Sequence, residues 1–142
     1  MASVREQILA RIKAVLTAAA PGGASVSRSR EIAITRANAP SIVIMAHNNA
    51  INAQSTEWDH NQFDLVLEIF VRGDPWDLLA DPIDQAAHTA LLTDAPLLAL
   101  VSSIRRSREA FESQEADLTA GVLSVSYRID FLTRAADISR AA

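Results

Sequence analysis

This sequence predicts an α+β fold: an antiparallel or mixed β-sheet with two helices packed on one face, in the order α-β-β-β-α-β-β. Three observations carry it. Apolar side chains recur at helical spacing near the start, at Val4, Ile8, Ile12, Val15 and Leu16. Two segments, 63–72 and 123–131, alternate strictly between apolar and mixed positions, as half-buried strands do. Between them lies an acidic, proline-punctuated stretch that reads as a second helix. A chain of 142 residues suits one domain, assigned to 1–133, with 134–142 (RAADISRAA) as a short flexible tail.

Each element has its own local grammar. Ser3 and Glu6 form a capping box at the start of the first helix, and Ala18-Ala19-Ala20 runs into Pro21-Gly22-Gly23, a stop signal. Val26–Arg28 and Glu31–Ile34 are candidate short strands. Ser41–Ala46 is a continuous β-branched apolar run, expected as a strand buried on both faces. Residues 48–61 (NNAINAQSTEWDHN) are polar and aperiodic, which predicts a long loop or flexible hairpin tip. Such a tip is expected to be mobile in a free subunit and ordered in an assembly.

After the strand at 63–72, Arg72-Gly73-Asp74 reads as a strand-to-helix turn rather than an adhesion tripeptide, with Asp74 as N-cap and Pro75 at N1. Pro82 then predicts a break, giving one turn at 75–80 and a main helix from 82 to about 93. Trp76 is expected to pack the first turn. Residues 96–101 form a connector. Residues 103–116 (SIRRSREAFESQEA) look extended but carry charge on both faces. Simple alternation puts Arg106, Arg108 and Glu112 on one side, and Arg105, Glu109, Phe111 and Glu115 on the other. Burying either face would strand charge, so an edge or lumen-lining strand is expected, with arginine and glutamate paired across strands or subunits.

Composition narrows the function. The chain has no cysteine, which excludes thiol catalysis, disulfides and cysteine-based zinc sites. No apolar run approaches the roughly 18 residues of a membrane span, and the N-terminus lacks the apolar core of a secretory signal. A net charge of −4 argues against phosphate-neutralising nucleic-acid binding. The charge is unevenly distributed. Residues 1–56 hold six basic and two acidic side chains, whereas 57–94 hold one basic and nine acidic. Such segments could meet head to tail between copies, or neutralise each other within one.

Catalytic and cofactor signals are weak. His47, His60 and His88 lack metal-ligand spacing. Ser102, His88 and Asp84 could be drawn as a triad, but no G-x-S-x-G elbow supports it. No phosphate-cradling glycine loop occurs. The remaining candidates are interaction residues: Arg28 and Arg30 in a basic patch, Trp58, Asp59 and His60 in the polar loop, and Arg105, Arg106, Arg108, Glu109, Glu112 and Glu115 on the charged strand. Trp58 is either tucked onto the sheet or offered to a partner.

Four stretches together resemble the tail terminator (tail completion) proteins of long-tailed bacteriophages. They are REQILARIKAVL; SRSR after the proline-glycine break; FDLVLEIFVRGD running into DPWDLLADPIDQAAHTALL; and RRSREAFESQEADLTAGVLSVSYRIDFL. The resemblance runs from Arg5 to Thr133. It implies a structural virion protein, not an enzyme and without cofactor or metal. Such a protein forms a homo-hexameric ring that caps the head-proximal end of the tail tube, ends tube polymerisation and offers the docking surface for the head connector. DNA would pass through the lumen without specific binding, and assembly would occur in the host cytoplasm. The alternatives are another tail-tube or neck adaptor protein of related fold, and a small His/Asp-dependent hydrolase using His60 or His88.

Overall fold

The computed structural model describes residues 1–28, 40–53, 55–73, 75–114 and 117–141. Helix α1 (Val4–Ala19) buries Val4, Ile8, Leu9, Ile12, Val15 and Leu16, the stripe its spacing predicts. The Ser3 hydroxyl accepts from the Glu6 backbone at 3.2 Å. The reciprocal half of the capping box is absent, because the Glu6 carboxylate turns outward to Arg28. A charged acceptor gains more from a guanidinium than from one amide. Ala20 ends the helix in the left-handed region, and Pro21–Gly23 add a 3-10 turn.

The strands are β1 (Ser25–Arg28), β2 (Ser41–Ala53), β3 (Trp58–Arg72), β4 (Ser103–Gln114), β5 (Asp117–Arg134) and β6 (Asp137–Ala141). They form one mixed sheet in the order β1-β2-β3-β5-β4, with β6 paired to the end of β5. Only the β1–β2 pairing is parallel; the others are antiparallel. Helices α1, α2 (Trp76–Leu92) and α3 (Ala95–Leu100) supply the other layer. The core lies between: Phe63, Leu65, Leu67 and Ile69 of β3 and Leu123, Val125, Tyr127, Ile129 and Phe131 of β5 face the helices and are buried. As expected, β2 begins buried on both faces. Ile42 and Ile44 enter this core, while Val43 joins Phe70 and Val122 in a second cluster on the opposite side.

Several expectations are corrected. Of the two readings of residues 48–61, the hairpin tip holds and the long loop does not. Apart from a short turn these residues belong to β2 and β3, so the pair forms a long hairpin arm, and Asp59 and His60 lie within β3. Backbone pairing requires no apolar side chain, so a polar arm is invisible to periodicity. The segment expected as a tail contributes β6. The connector is α3, whose Asp94 carboxylate caps the Leu97 amide at 3.0 Å.

Helix α2 runs unbroken through Pro82. The bond that Pro82 cannot donate would go to the carbonyl of Leu78. Both residues are exposed, so water can take that carbonyl. The cap position of α2 is Pro75, without a side-chain cap. The expected cap Asp74, the candidate strand Glu31–Ile34, and the candidate site residues Arg30 and Glu115 lie outside the described residues.

Trp76 packs as expected, lying over the backbone of Gly121 and tilted against Phe111 with ring centroids 6.1 Å apart. A Cβ at Gly121 would overlap the indole ring. Gly121→Ala is therefore expected to destabilise the fold by about 1–3 kcal/mol, through overpacking alone. Thermal melting checks this, and an unchanged midpoint would contradict the packing.

Candidate assembly surfaces

The charged strand β4 is a sheet edge, as expected, but its two faces are not those of simple alternation. A bulge at Ser107 separates the pairs Arg106↔Tyr127 and Arg108↔Ser126. One extra residue inverts the side-chain phase beyond it. Ile104, Arg106, Glu109 and Phe111 therefore share the helix-side face, opposite Ile129, Tyr127, Val125 and Leu123. Arg105, Arg108 and Glu112 point to the other side and are exposed, with Arg105 directly opposite Arg128. The grouping of Arg106 with Arg108 and Glu112 is thus incorrect.

Arg106 reaches under α2. Its guanidinium holds the buried Asp84 carboxylate in a two-point pair, at 2.9 and 2.6 Å, and also pairs with Glu109. The arginine sought on an exposed strand is a bridge between the sheet edge and a helix. The hydrogen bond to Asp84 lifts the Arg106 pKa above the ordinary guanidinium range, outweighing burial, which acts the other way. The Tyr127 hydroxyl accepts from Arg106 at 3.4 Å and lies 2.9 Å from His88 Nδ1, to which it donates when that ring carries its proton on Nε2. Burial is the main cause of the raised Tyr127 pKa, against the opposing pull of Arg106. Tyr127 is not among the site candidates read from the sequence, and Asp84 and His88 enter there only as catalytic groups, not as partners of Arg106 and Tyr127. Their signal was present: Asp84 interrupts the apolar stripe Ala80, Ile83, Ala87 and Leu91, and Tyr127 carries the only hydroxyl in the apolar alternation of β5.

Asp130 organises a smaller cluster on the opposite sheet face. It accepts from Gln62 at 3.0 Å and Ser103 at 2.9 Å, and pairs with His60 Nε2 at 2.8 Å. The imagined triad does not assemble: His88 engages Tyr127, and Asp84 engages Arg106. Among the described residues, no histidine is hydrogen-bonded to a serine hydroxyl, and no group of three or more His, Asp or Glu could hold a metal ion.

Trp58 opens β3 opposite Arg134 and is 41% exposed, with Asp59 beside it opposite Thr133. Arg28 ties β1 to α1 through Glu6, and its hydrogen bond is the largest cause holding the Glu6 pKa below the usual carboxylate range. Between α1 and the arm lies a cleft of about 420 Å³ lined by Arg5, Arg28, His47, Asn48 and Asn49 over Ile44 and Phe63. An adjoining cleft of about 110 Å³ continues past Arg5 and Asn49 to Ile51, Phe131 and Ile138. At the other end of the sheet, α2 exposes Leu78 and Leu79 between Asp77 and Asp81. The arrangement offers surfaces for protein contact: a polar and apolar groove, an acidic helix with exposed leucines, and a charged sheet edge.

No family model matches the sequence, and no curated protein matches it. Among solved structures, the chain is similar to one in the virion of a native gene transfer agent (GTA) particle. The two share 14% identity and superpose with a TM-score of 0.55 over 90% of each chain. At that identity the likeness establishes a shared fold.

Two outcomes are expected for the buried network. Asp84→Ala leaves Arg106 under α2 without its main partner and should cost about 2–3 kcal/mol of stability, whereas Arg108→Ser on the exposed face should stay within about 0.5 kcal/mol. Denaturant unfolding separates the two. Tyr127 is the only tyrosine, so its titration can be followed by absorbance. Because its folded pKa lies above the unfolded value of 10.0, its neutral form stabilises the fold below pH 10, and this contribution is lost as pH rises through the folded pKa. Melting temperature should fall in that window, and Tyr127→Phe should remove that part of the fall.

Proposed function

We propose that this chain is a structural protein of a phage-like virion and serves as a tail terminator. It forms a ring, hexameric by family resemblance, on the head-proximal end of the tail tube, where it stops tube growth and receives the head connector. The observation that carries this reading is the fold shared with a GTA virion chain over nine-tenths of both chains. The sequence resemblance from Arg5 to Thr133 supports the more specific role.

Surface chemistry agrees with assembly. A ring of identical copies needs two different complementary surfaces on each subunit, placed so that rotation closes the circle. The groove beside α1 and the exposed face of α2 supply two such surfaces. Its partners are further copies of itself, the tail tube protein and the head-tail connector, and DNA passes through the lumen without specific contacts. A net negative chain suits that passage, because strong phosphate binding would hold the DNA.

Light scattering on the purified chain, alone and with polymerising tube protein, tests this. The expected result is a ring of about 92 kDa for six copies of the 15.3 kDa chain, and tubes that stop growing when it is added. A chain that neither oligomerises nor alters tube length would overturn the proposal. A ring that forms but leaves tube growth unchanged would point to a neck adaptor.

A further inference from the structure

We infer that the groove between the N-terminus of α1 and the β2–β3 arm is the seat for the first turns of α2 from a second copy of this chain. The inference rests on the ring reading above and identifies its subunit contact.

The groove exists because the strands outrun the helix that covers them. Helix α1 begins at Val4, whereas the β3–β5 ladder continues to Trp58 and Arg134. Beyond the helix the floor of the sheet is still buried at Asn61, Phe131 and Thr133, and the groove opens above it beside Ile51 and Ile138. Its polar half is lined by Arg5, Glu6, Arg28 and His47, and its apolar half by Ile51, Phe131 and Ile138. Ile51 is 62% and Ile138 63% exposed, an unfavourable placement for two aliphatic side chains flanking one cleft. Arg28 is engaged by Glu6, while Arg5 makes no ion pair among the described residues and supplies the excess positive charge.

The complement is present on the same chain. Helix α2 contains no lysine or arginine, and its first turns display Asp77, Leu78, Leu79 and Asp81. Leu78 is 67% and Leu79 45% exposed. Carboxylates beside bare leucines match Arg5 beside bare isoleucines, in both charge and apolarity.

Topology prevents one copy from satisfying this match internally. The groove runs beside the ladder from Phe63 to Thr133, while α2 starts at the Arg72↔Ala120 end. From Phe63, which lines the groove, to Arg72 is nine strand steps, roughly 31 Å at about 3.4 Å per step. Complementary surfaces at opposite ends of a subunit make a head-to-tail contact, the kind that closes into a ring. Part of the uneven charge is neutralised within the chain, where Arg11 pairs with Asp94 at 2.7 Å, and part remains as Arg5 at the groove and Asp77 and Asp81 on the helix that enters it.

The test is a charge exchange in the full-length chain, read by concentration-dependent light scattering with melting temperature as the folding control. Arg5→Glu alone, and Asp77→Arg with Asp81→Arg, should each weaken self-association about tenfold or more, and the three together should restore much of the loss. Leu78→Ser and Ile51→Ser should each weaken it by about ten- to a hundredfold without lowering the melting temperature, since both side chains are solvent-exposed in the isolated chain. Rings that survive every single reversal, or a triple variant no tighter than its parents, would overturn this contact and leave the ring reading intact. Intact rings that have lost only tube or connector binding would give the groove to that partner and overturn the occupant assigned here. A wild-type chain that forms no ring, with or without tube protein, would overturn both.

Discussion

Fifteen consecutive residue pairs between β3 and β5 are the constraint on which the rest of the molecule depends. Their register aligns Phe63, Leu65, Leu67 and Ile69 with Ile129, Tyr127, Val125 and Leu123, making one continuous apolar surface from two strands far apart in sequence. A slip of one residue would turn every one of these side chains toward solvent, so the pairing is held tightly by burial. Helices α1 and α2 dock because that surface exists, and both bring apolar stripes to it. Burying one aliphatic side chain is worth about 1.5–3 kcal/mol, more than an exposed ion pair provides. Apolar area therefore decides whether the chain folds, and exposed charge adds little to that.

The same ladder explains why exposed apolar side chains collect toward its ends. Helices cover the middle of the sheet, and where the strands run past them Ile51 and Ile138 stand exposed beside the buried Asn61, Phe131 and Thr133. At the opposite end, Trp76 closes over Gly121 and fixes the start of α2, so the exposed leucines that follow are held by a rigid anchor. Polar networks serve the interior in a different way. Arg106 carries the strand edge to Asp84, and Asp130 gathers three donors on the far face. Both fasten neighbouring elements, and neither aligns a nucleophile with a base.

Much of this was legible in advance where one residue's chemistry suffices. The stripe of α1, the alternation of β3 and β5, and the edge character of β4 each follow from a local pattern reporting local burial. A hairpin tip is one of the two readings of 48–61, but the length of its strands was not legible, because Ala50–Ala53 and Asp59–Gln62 pair through backbone groups that leave no trace in side-chain periodicity. Of the candidate interaction residues, Trp58, Arg105, Arg108 and Glu112 are exposed, whereas Arg106 proved to be an interior bridge and His60 a partner of Asp130.

The amino-acid sequence by itself determined the layer architecture and the uneven charge along the chain, since both depend on composition and spacing within short windows. Only the tertiary structure decided the faces of β4, where a single bulge at Ser107 inverts the phase of everything after it. Only it brought Asp84, Tyr127 and Arg106 together across 43 residues of chain. The physical reason is common to both: strand register and the burial of a lone polar group are settled by partners distant in sequence, and no local pattern encodes a distant partner.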